Sequence, residues 1–85
     1  MMVPTVHLNG TDKNVLLEDI SDAAAALRIA AEKLHEMSPN GRDYYPQGSN
    51  AIGKAIAEHT IRIKKVMDIY DELSVLFEAI DIQEG

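Results

Sequence analysis

A regular heptad pattern in the second half of the chain constrains the fold more than any other feature. Apolar residues follow one another at alternating steps of four and three, and one histidine interrupts the apolar series. Residues at these spacings share one side of an α-helix, so the pattern predicts a helix over residues 51–81. The stripe comprises Ile52, Ile56, His59, Ile63, Val66, Tyr70, Leu73, Phe77 and Ile80.

The first half of the chain carries a matching pattern that predicts a helix over residues 12–38. Thr11 is a suitable N-cap, because its hydroxyl can accept a hydrogen bond from the first helical turn. Pro39 ends the helix, since it disfavours helical geometry in the residue before it. The stripe comprises Leu16, Ile20, Ala23, Leu27, Ala30, Leu34 and Met37.

Together the two patterns predict a single all-α domain built as an αα-hairpin. At about 1.5 Å per residue the helices would be about 40 and 45 Å long, so they can lie antiparallel. A short leader over residues 1–10 is expected to be extended, because Val6 and Leu8 alternate with polar neighbours. Residues 39–50 form the connecting loop, and residues 82–85 form a tail.

The apolar stripe of the second helix is wider than one neighbouring helix can cover. Ala55, Met67, Ile69 and Leu76 flank it. The chain has 85 residues and no cysteine, so disulfides and thiolate metal sites cannot add stability. We therefore expect two hairpins to pair into a dimeric four-helix bundle. In the alternative, the leader and loop fold back over the uncovered strip of a monomer.

Charge and composition exclude several classes of function. The net charge of −6 has the wrong sign for a protein that coats nucleic acid. The chain has no apolar run long enough to cross a membrane and no signal peptide, so we expect a soluble, cytoplasmic protein. It also carries no phosphate-binding loop, zinc-protease motif or nucleophile motif. We predict neither enzymatic activity nor a cofactor or metal site.

The loop between the helices is the most informative segment. It is longer than the usual helix connection and carries two of the three tyrosines. In one interpretation Tyr44 and Tyr45 plug the end of the hairpin, with Arg42 and Asp43 paired. In the other the loop is a recognition tip, because tyrosine and arginine are enriched at binding hot spots. The candidate interaction residues are Asn40, Gly41, Arg42, Asp43, Tyr44, Tyr45, Pro46 and Gln47.

Two further groups of polar residues are candidate sites. His59 lies in the apolar stripe, where a polar residue can fix helix register. A pH-sensitive interface is the functional alternative, because imidazole titrates near neutral pH. Arg62, Lys64 and Lys65 form a possible basic patch, which with the loop tyrosines could contact single-stranded nucleic acid.

Three segments resemble a known group of proteins. They are Val6-His7-Leu8-Asn9-Gly10-Thr11, Asn40-Gly41-Arg42-Asp43-Tyr44-Tyr45-Pro46-Gln47-Gly48, and Ala57-Glu58-His59 followed by Arg62. With them the chain resembles small uncharacterised proteins encoded by bacteriophages and prophages. The resemblance implies a phage or prophage origin and expression in the bacterial cytoplasm, and it brings no established activity.

Two functional hypotheses follow from these observations. In the first, the protein is a non-enzymatic interaction or assembly protein, a homodimer that presents the loop to a phage or host protein. In the second, it is a small regulator that contacts nucleic acid or mimics it through its acidic end.

Overall fold

A computed structural model describes residues 1–84 and shows two long helices joined by a structured loop. Helix α1 spans Lys13–Glu36, helix α2 spans Gly41–Tyr44, and helix α3 spans Ala51–Asp81. A 3-10 turn, Tyr45–Gln47, separates α2 from α3. Helices α1 and α3 pack antiparallel along most of their length. The predicted all-α class with two long helices is confirmed, and the described residues contain no strand.

The ends of α1 differ from the sequence prediction by one or two residues. The carboxylate of Asp12 accepts a hydrogen bond from the backbone N–H of Asn14 at 3.0 Å, so Asp12 rather than Thr11 caps the helix. The helix ends at Glu36 instead of Ser38, because the N–H and hydroxyl of Ser38 both donate to the His35 carbonyl. Helix α3 has its predicted bounds. Of the predicted tail, Gly85 lies outside the described residues.

The inward-facing stripe of α1 agrees with the prediction at every second position and is shifted by one residue at the others. Ala23 and Ala30, which were assigned to the stripe facing the second helix, are exposed, whereas Ala31 is buried and Ala24 half-buried. The run of four alanines at residues 23–26 allows either phase, because a single alanine presents little apolar area. The observed phase brings Leu17 into the helix–helix contact region, where it is half-buried.

The chain is a rod with a small core. Its principal dimensions are 62 × 20 × 16 Å, and its radius of gyration is 18.8 Å. A compact chain of this length would have a radius of gyration of about 12 Å. The residues that are almost fully inaccessible to solvent are Ala31, Ala55, His59 and Ile80. Within residues 1–84, no helix combines the length and the apolar character that a membrane-spanning segment needs.

The leader packs against the end of the hairpin that is formed by the start of α1 and the end of α3. The side-chain oxygen of Gln83 accepts a hydrogen bond from the Val6 N–H at 2.8 Å, and its amide nitrogen donates to the Pro4 carbonyl at 2.8 Å. The ammonium group of Lys13 donates to the carbonyl of Asp81, which has no helical partner at the end of α3, and to the carbonyl of Gln83 just beyond the helix. The leader forms no strand, and Leu8 lies in a turn instead of an extended segment.

We expect Gln83→Ala to release the leader, because both of its hydrogen bonds to Pro4 and Val6 are lost. The stability should fall by about 1 kcal/mol, and the Val6 amide should exchange faster in NMR hydrogen-exchange measurements. Glu84→Ala is the control, since this neighbouring exposed side chain makes no hydrogen bond to the leader among the described residues. Unchanged Val6 exchange in Gln83→Ala would contradict the assignment.

Candidate interaction loop

The loop is built from two short hydrogen-bonded turns. The side chain of Asn40 accepts a hydrogen bond from the Arg42 N–H at 2.9 Å, and its carbonyl accepts from the Asp43 N–H at 3.0 Å. Asn40 therefore caps helix α2, and neither Asn40 nor Gly41 has a positive φ. The spacing Asn40-x-x-Asp43 is similar to a capping-box sequence, so a sequence signal for this helix was present.

The second turn contains the Tyr45-Pro46 step. A residue before proline usually has extended backbone, but Tyr45 has helical dihedral angles, with φ −60° and ψ −30°. Proline fits the first turn of a helix, since that position needs no backbone donor. The Gly48 N–H closes the turn on the Tyr45 carbonyl at 3.2 Å. Gly48 has a φ of +111°, a region that favours glycine.

The two loop tyrosines occupy different environments. Tyr44 is half-buried, whereas Tyr45 is 76% exposed. Arg42, Pro46 and Gln47 are also exposed, and we call these three residues with Tyr45 the tip. No ion pair joins Arg42 to Asp43 in the described chain, so the pairing expected for a plug is absent there. The loop thus combines a partly buried tyrosine with an exposed tip.

His59 lies near the loop end of the hairpin, in the seam between α1 and α3, and is only 4% exposed. Its Nε2 atom is 2.5 Å from the carbonyl oxygen of Leu34. A carbonyl can only accept, so Nε2 carries the hydrogen and Nδ1 can accept from Arg62, whose guanidinium lies 3.5 Å away. Leu34 is in the last turn of α1, where carbonyls lack helical partners. His59, a residue of α3, therefore supplies a hydrogen-bond donor to the C-terminal turn of α1.

The predicted basic patch does not converge on one surface. Lys64 donates two hydrogen bonds to Asp68, at 3.0 and 2.7 Å, and this carboxylate raises the pKa of Lys64 above its ordinary value. Arg62 lies 3.8 Å from Glu58. The side chains of Lys64 and Lys65 leave α3 about 100° apart. Two of the three cations therefore have carboxylate partners, and Lys64 leaves α3 on a different side from Arg62 and Lys65.

No cluster of three or more histidine, aspartate or glutamate side chains in residues 1–84 is arranged to hold a metal ion. A shallow groove beside His59 is lined by His35, Pro39, Ile56 and Thr60. Comparison of the chain with protein-family models, curated proteins and solved structures finds no match. The geometry of the loop is therefore the main basis for a functional proposal.

We expect His59→Leu to destabilise the fold although it adds an apolar side chain to the seam. The Leu34 carbonyl would lose its donor, which costs about 1–3 kcal/mol for a buried group. His59→Gln is the matched variant, because its amide can still donate, and it should recover part of the loss. Urea unfolding measures both changes. Equal or greater stability of His59→Leu would show that the carbonyl does not depend on the imidazole.

Proposed function

We propose that this chain is a non-enzymatic interaction or assembly protein that binds a phage or host protein through the tip in the bacterial cytoplasm. The observation that supports the proposal most is Tyr45, an aromatic side chain that is 76% exposed on a hydrogen-bonded turn. A large aromatic ring gains contact area on binding and loses few rotamers. Arg42 adds directed hydrogen-bond donors next to it.

The ordered conformation of the loop supports a role in recognition, because it lowers the entropic cost of binding. Asn40 caps α2, and the Gly48 N–H closes the following turn, so the backbone under Tyr45 is held by its own hydrogen bonds. Half-buried Tyr44 anchors the same segment. A preorganised loop loses less conformational freedom when a partner binds, which leaves more of the contact energy as affinity.

We also propose that the protein is a homodimer. Its accessible surface is 6435 Å², whereas a compact monomer of this mass would expose about 5,000 Å². The excess of about 1,400 Å² exceeds the roughly 800 Å² that each partner buries in a standard interface. Exposed aliphatic side chains on both long helices include Val15, Ile29, Ile56, Ile61, Ile69 and Val75.

The alternative regulator has weaker support. The ion pairs of Arg62 and Lys64 compete with phosphate contacts, and the net charge of −6 opposes approach to nucleic acid. The acidic end could still act as a mimic of nucleic acid. A salt-sensitive shift of labelled DNA or RNA by the protein would favour the regulator over the interaction protein.

Two tyrosine substitutions test the tip. We expect Tyr45→Ala to change stability by no more than about 0.5 kcal/mol, because the side chain is exposed. It should nevertheless abolish capture of the partner from phage-infected cell extract, measured by quantitative mass spectrometry. Tyr44→Ala should lower the melting temperature, since it removes buried area.

The matched control for Tyr45→Ala is Tyr45→Phe, which keeps most of the contact area. Phage proteins retained by the parent and by Tyr45→Phe, but lost with Tyr45→Ala, would support recognition by the tip. If the captured proteins are the same for the parent, Tyr45→Ala and Arg42→Ala, the tip is not the recognition element.

Light scattering tests the dimer separately from the tip. At micromolar concentration we expect a mass of about 19 kDa, twice the 9.4 kDa of one chain. The Tyr45→Ala variant should have the same mass, because the tip lies at the end of the rod. A mass of one chain over the whole concentration range would contradict the dimer and leave the tip proposal standing.

A further inference from the structure

Helix α1 has an apolar stripe that α3 does not cover. Leu16, Ala23, Ala30 and Met37 recur at seven-residue intervals and therefore run along one side of the helix. Leu16 is half-buried, the two alanines are exposed, and Met37 is 63% exposed. We call these four residues the free seam. This seam lies outside the hairpin because Ala24 and Ala31 take the inward-facing positions that were predicted for Ala23 and Ala30.

The free seam lies on the same side of the hairpin as two aliphatic residues of α3. On the opposite side, Ser21 and Arg28 line a groove with Tyr70, and His35 lines another with Ile56 and Thr60. Ala23 and Ala30 leave α1 about 160° away from Ser21 and Arg28. Ile69 and Leu76 likewise leave α3 on the side opposite Ile56 and Thr60. Both helices therefore contribute apolar side chains to one broad face.

From these observations we infer that a second copy of the chain packs on this face in antiparallel orientation, with its loop beside the acidic end of the first. The inference rests on the proposed dimer and adds its interface and its orientation. Small alanine side chains allow two α1 helices to approach closely, and the larger Leu16, Met37, Ile69 and Leu76 flank them. A face shared by two helices can supply the burial that the rod lacks on its own.

The charges of the rod favour the antiparallel orientation. The end formed by residues 11–22 and 68–84 carries ten carboxylates against one lysine, a net charge of −9. The loop-proximal part, residues 23–67, carries seven cations against four carboxylates, a net charge of +3. A parallel pair would set the two acidic ends side by side. An antiparallel pair sets each acidic end beside the cationic part of its partner.

Individual charges on the face follow the same rule. Asp19 and Lys33 lie on the free-seam side of α1, about two turns on either side of Ala26. With the two-fold axis near Ala26, Asp19 of each copy lies level with Lys33 of the other. The same register sets Ala23 level with Ala30, and Leu16 level with Met37. In a parallel pair, by contrast, Asp19 of one chain would face Asp19 of the other, and Lys33 would face Lys33. Like charges at such short range destabilise the pair.

Single cysteines test the face and the orientation, because the natural chain has none. A disulfide requires Cα atoms within about 7 Å. We expect Ala26→Cys to form a disulfide-linked dimer under mild oxidation. Its neighbour Ala25→Cys is the matched control and should stay unlinked, because Ala25 is also exposed but points about 100° away.

The orientation is tested with Met37→Cys and Leu16→Cys. In the antiparallel pair each of these cysteines is about 30 Å from the same cysteine of the other chain, so neither variant should form a disulfide-linked dimer by itself. A mixture of the two, refolded together, should give a mixed disulfide on non-reducing gels. Circular dichroism and light scattering of the reduced variants confirm that each remains a helical dimer.

The possible failures are distinguishable. Self-linking of Met37→Cys would overturn the antiparallel orientation. Failure of Ala26→Cys to link, or linking through Ala25→Cys in its place, would overturn the face. Either result in a protein of dimeric mass overturns this inference and leaves the proposed dimer standing. A monomeric mass of the unmodified protein would remove the dimer and this interface together, while the tip would still be tested by Tyr45→Ala.

Discussion

Two helices can cover only one strip of each other, and the rest of this structure depends on that constraint. A sheet or a third helix would bury a second face of α3, but the described chain offers only a short leader and a loop. Few residues are therefore fully buried, and several aliphatic side chains on α1 and α3 remain about half exposed. With a core this small, polar contacts at the two ends of the hairpin carry a larger share of its stability than they would in a compact domain.

The two ends use the same physical device, which is a donor placed against helix carbonyls that lack partners. At one end, the ammonium group of Lys13 donates to the carbonyl of Asp81, the last residue of α3, and to that of Gln83 just beyond it. At the other end, the imidazole of His59 donates to the Leu34 carbonyl in the last turn of α1. Each contact joins the two long helices, so it fixes their relative position along the rod while it satisfies a terminal group. Without such polar contacts, α1 could shift along α3 by one heptad at a lower cost in free energy.

The sequence predicted the parts of the fold that depend on repetition. The stripe of α3 extends over many residues, so an error at one position hardly changes the helix, and both of its bounds agree with the prediction. The phase of α1 could not be predicted in the same way. Near Ala23 and Ala24 both phases present a methyl group, and the choice depends on how Leu16 and Leu17 fit against α3, which is a tertiary effect.

The loop and the leader were harder to predict because a few individual hydrogen bonds determine their conformation. The Asn40-x-x-Asp43 capping signal was visible in the sequence, yet the adjoining Tyr45-Pro46 step suggested extended backbone. Gln83 is 79 positions from Pro4 and 77 from Val6 in the sequence. No local sequence pattern indicates contacts between residues so far apart. The sequence therefore located the candidate loop, while the structure was needed to distinguish the exposed Tyr45 from the half-buried Tyr44.

The orientation of the dimer decides what the proposed tip can do. In a parallel pair the two tips would lie side by side and could bind one partner at two neighbouring points. In the antiparallel pair they lie at opposite ends, separated by about the 62 Å length of the rod. A single small partner cannot reach both tips at that distance, so two-point binding to one molecule adds no avidity. An antiparallel dimer would instead connect two partner molecules, or two distant sites on one large assembly, and the stiffness of α1 and α3 would fix the spacing between them.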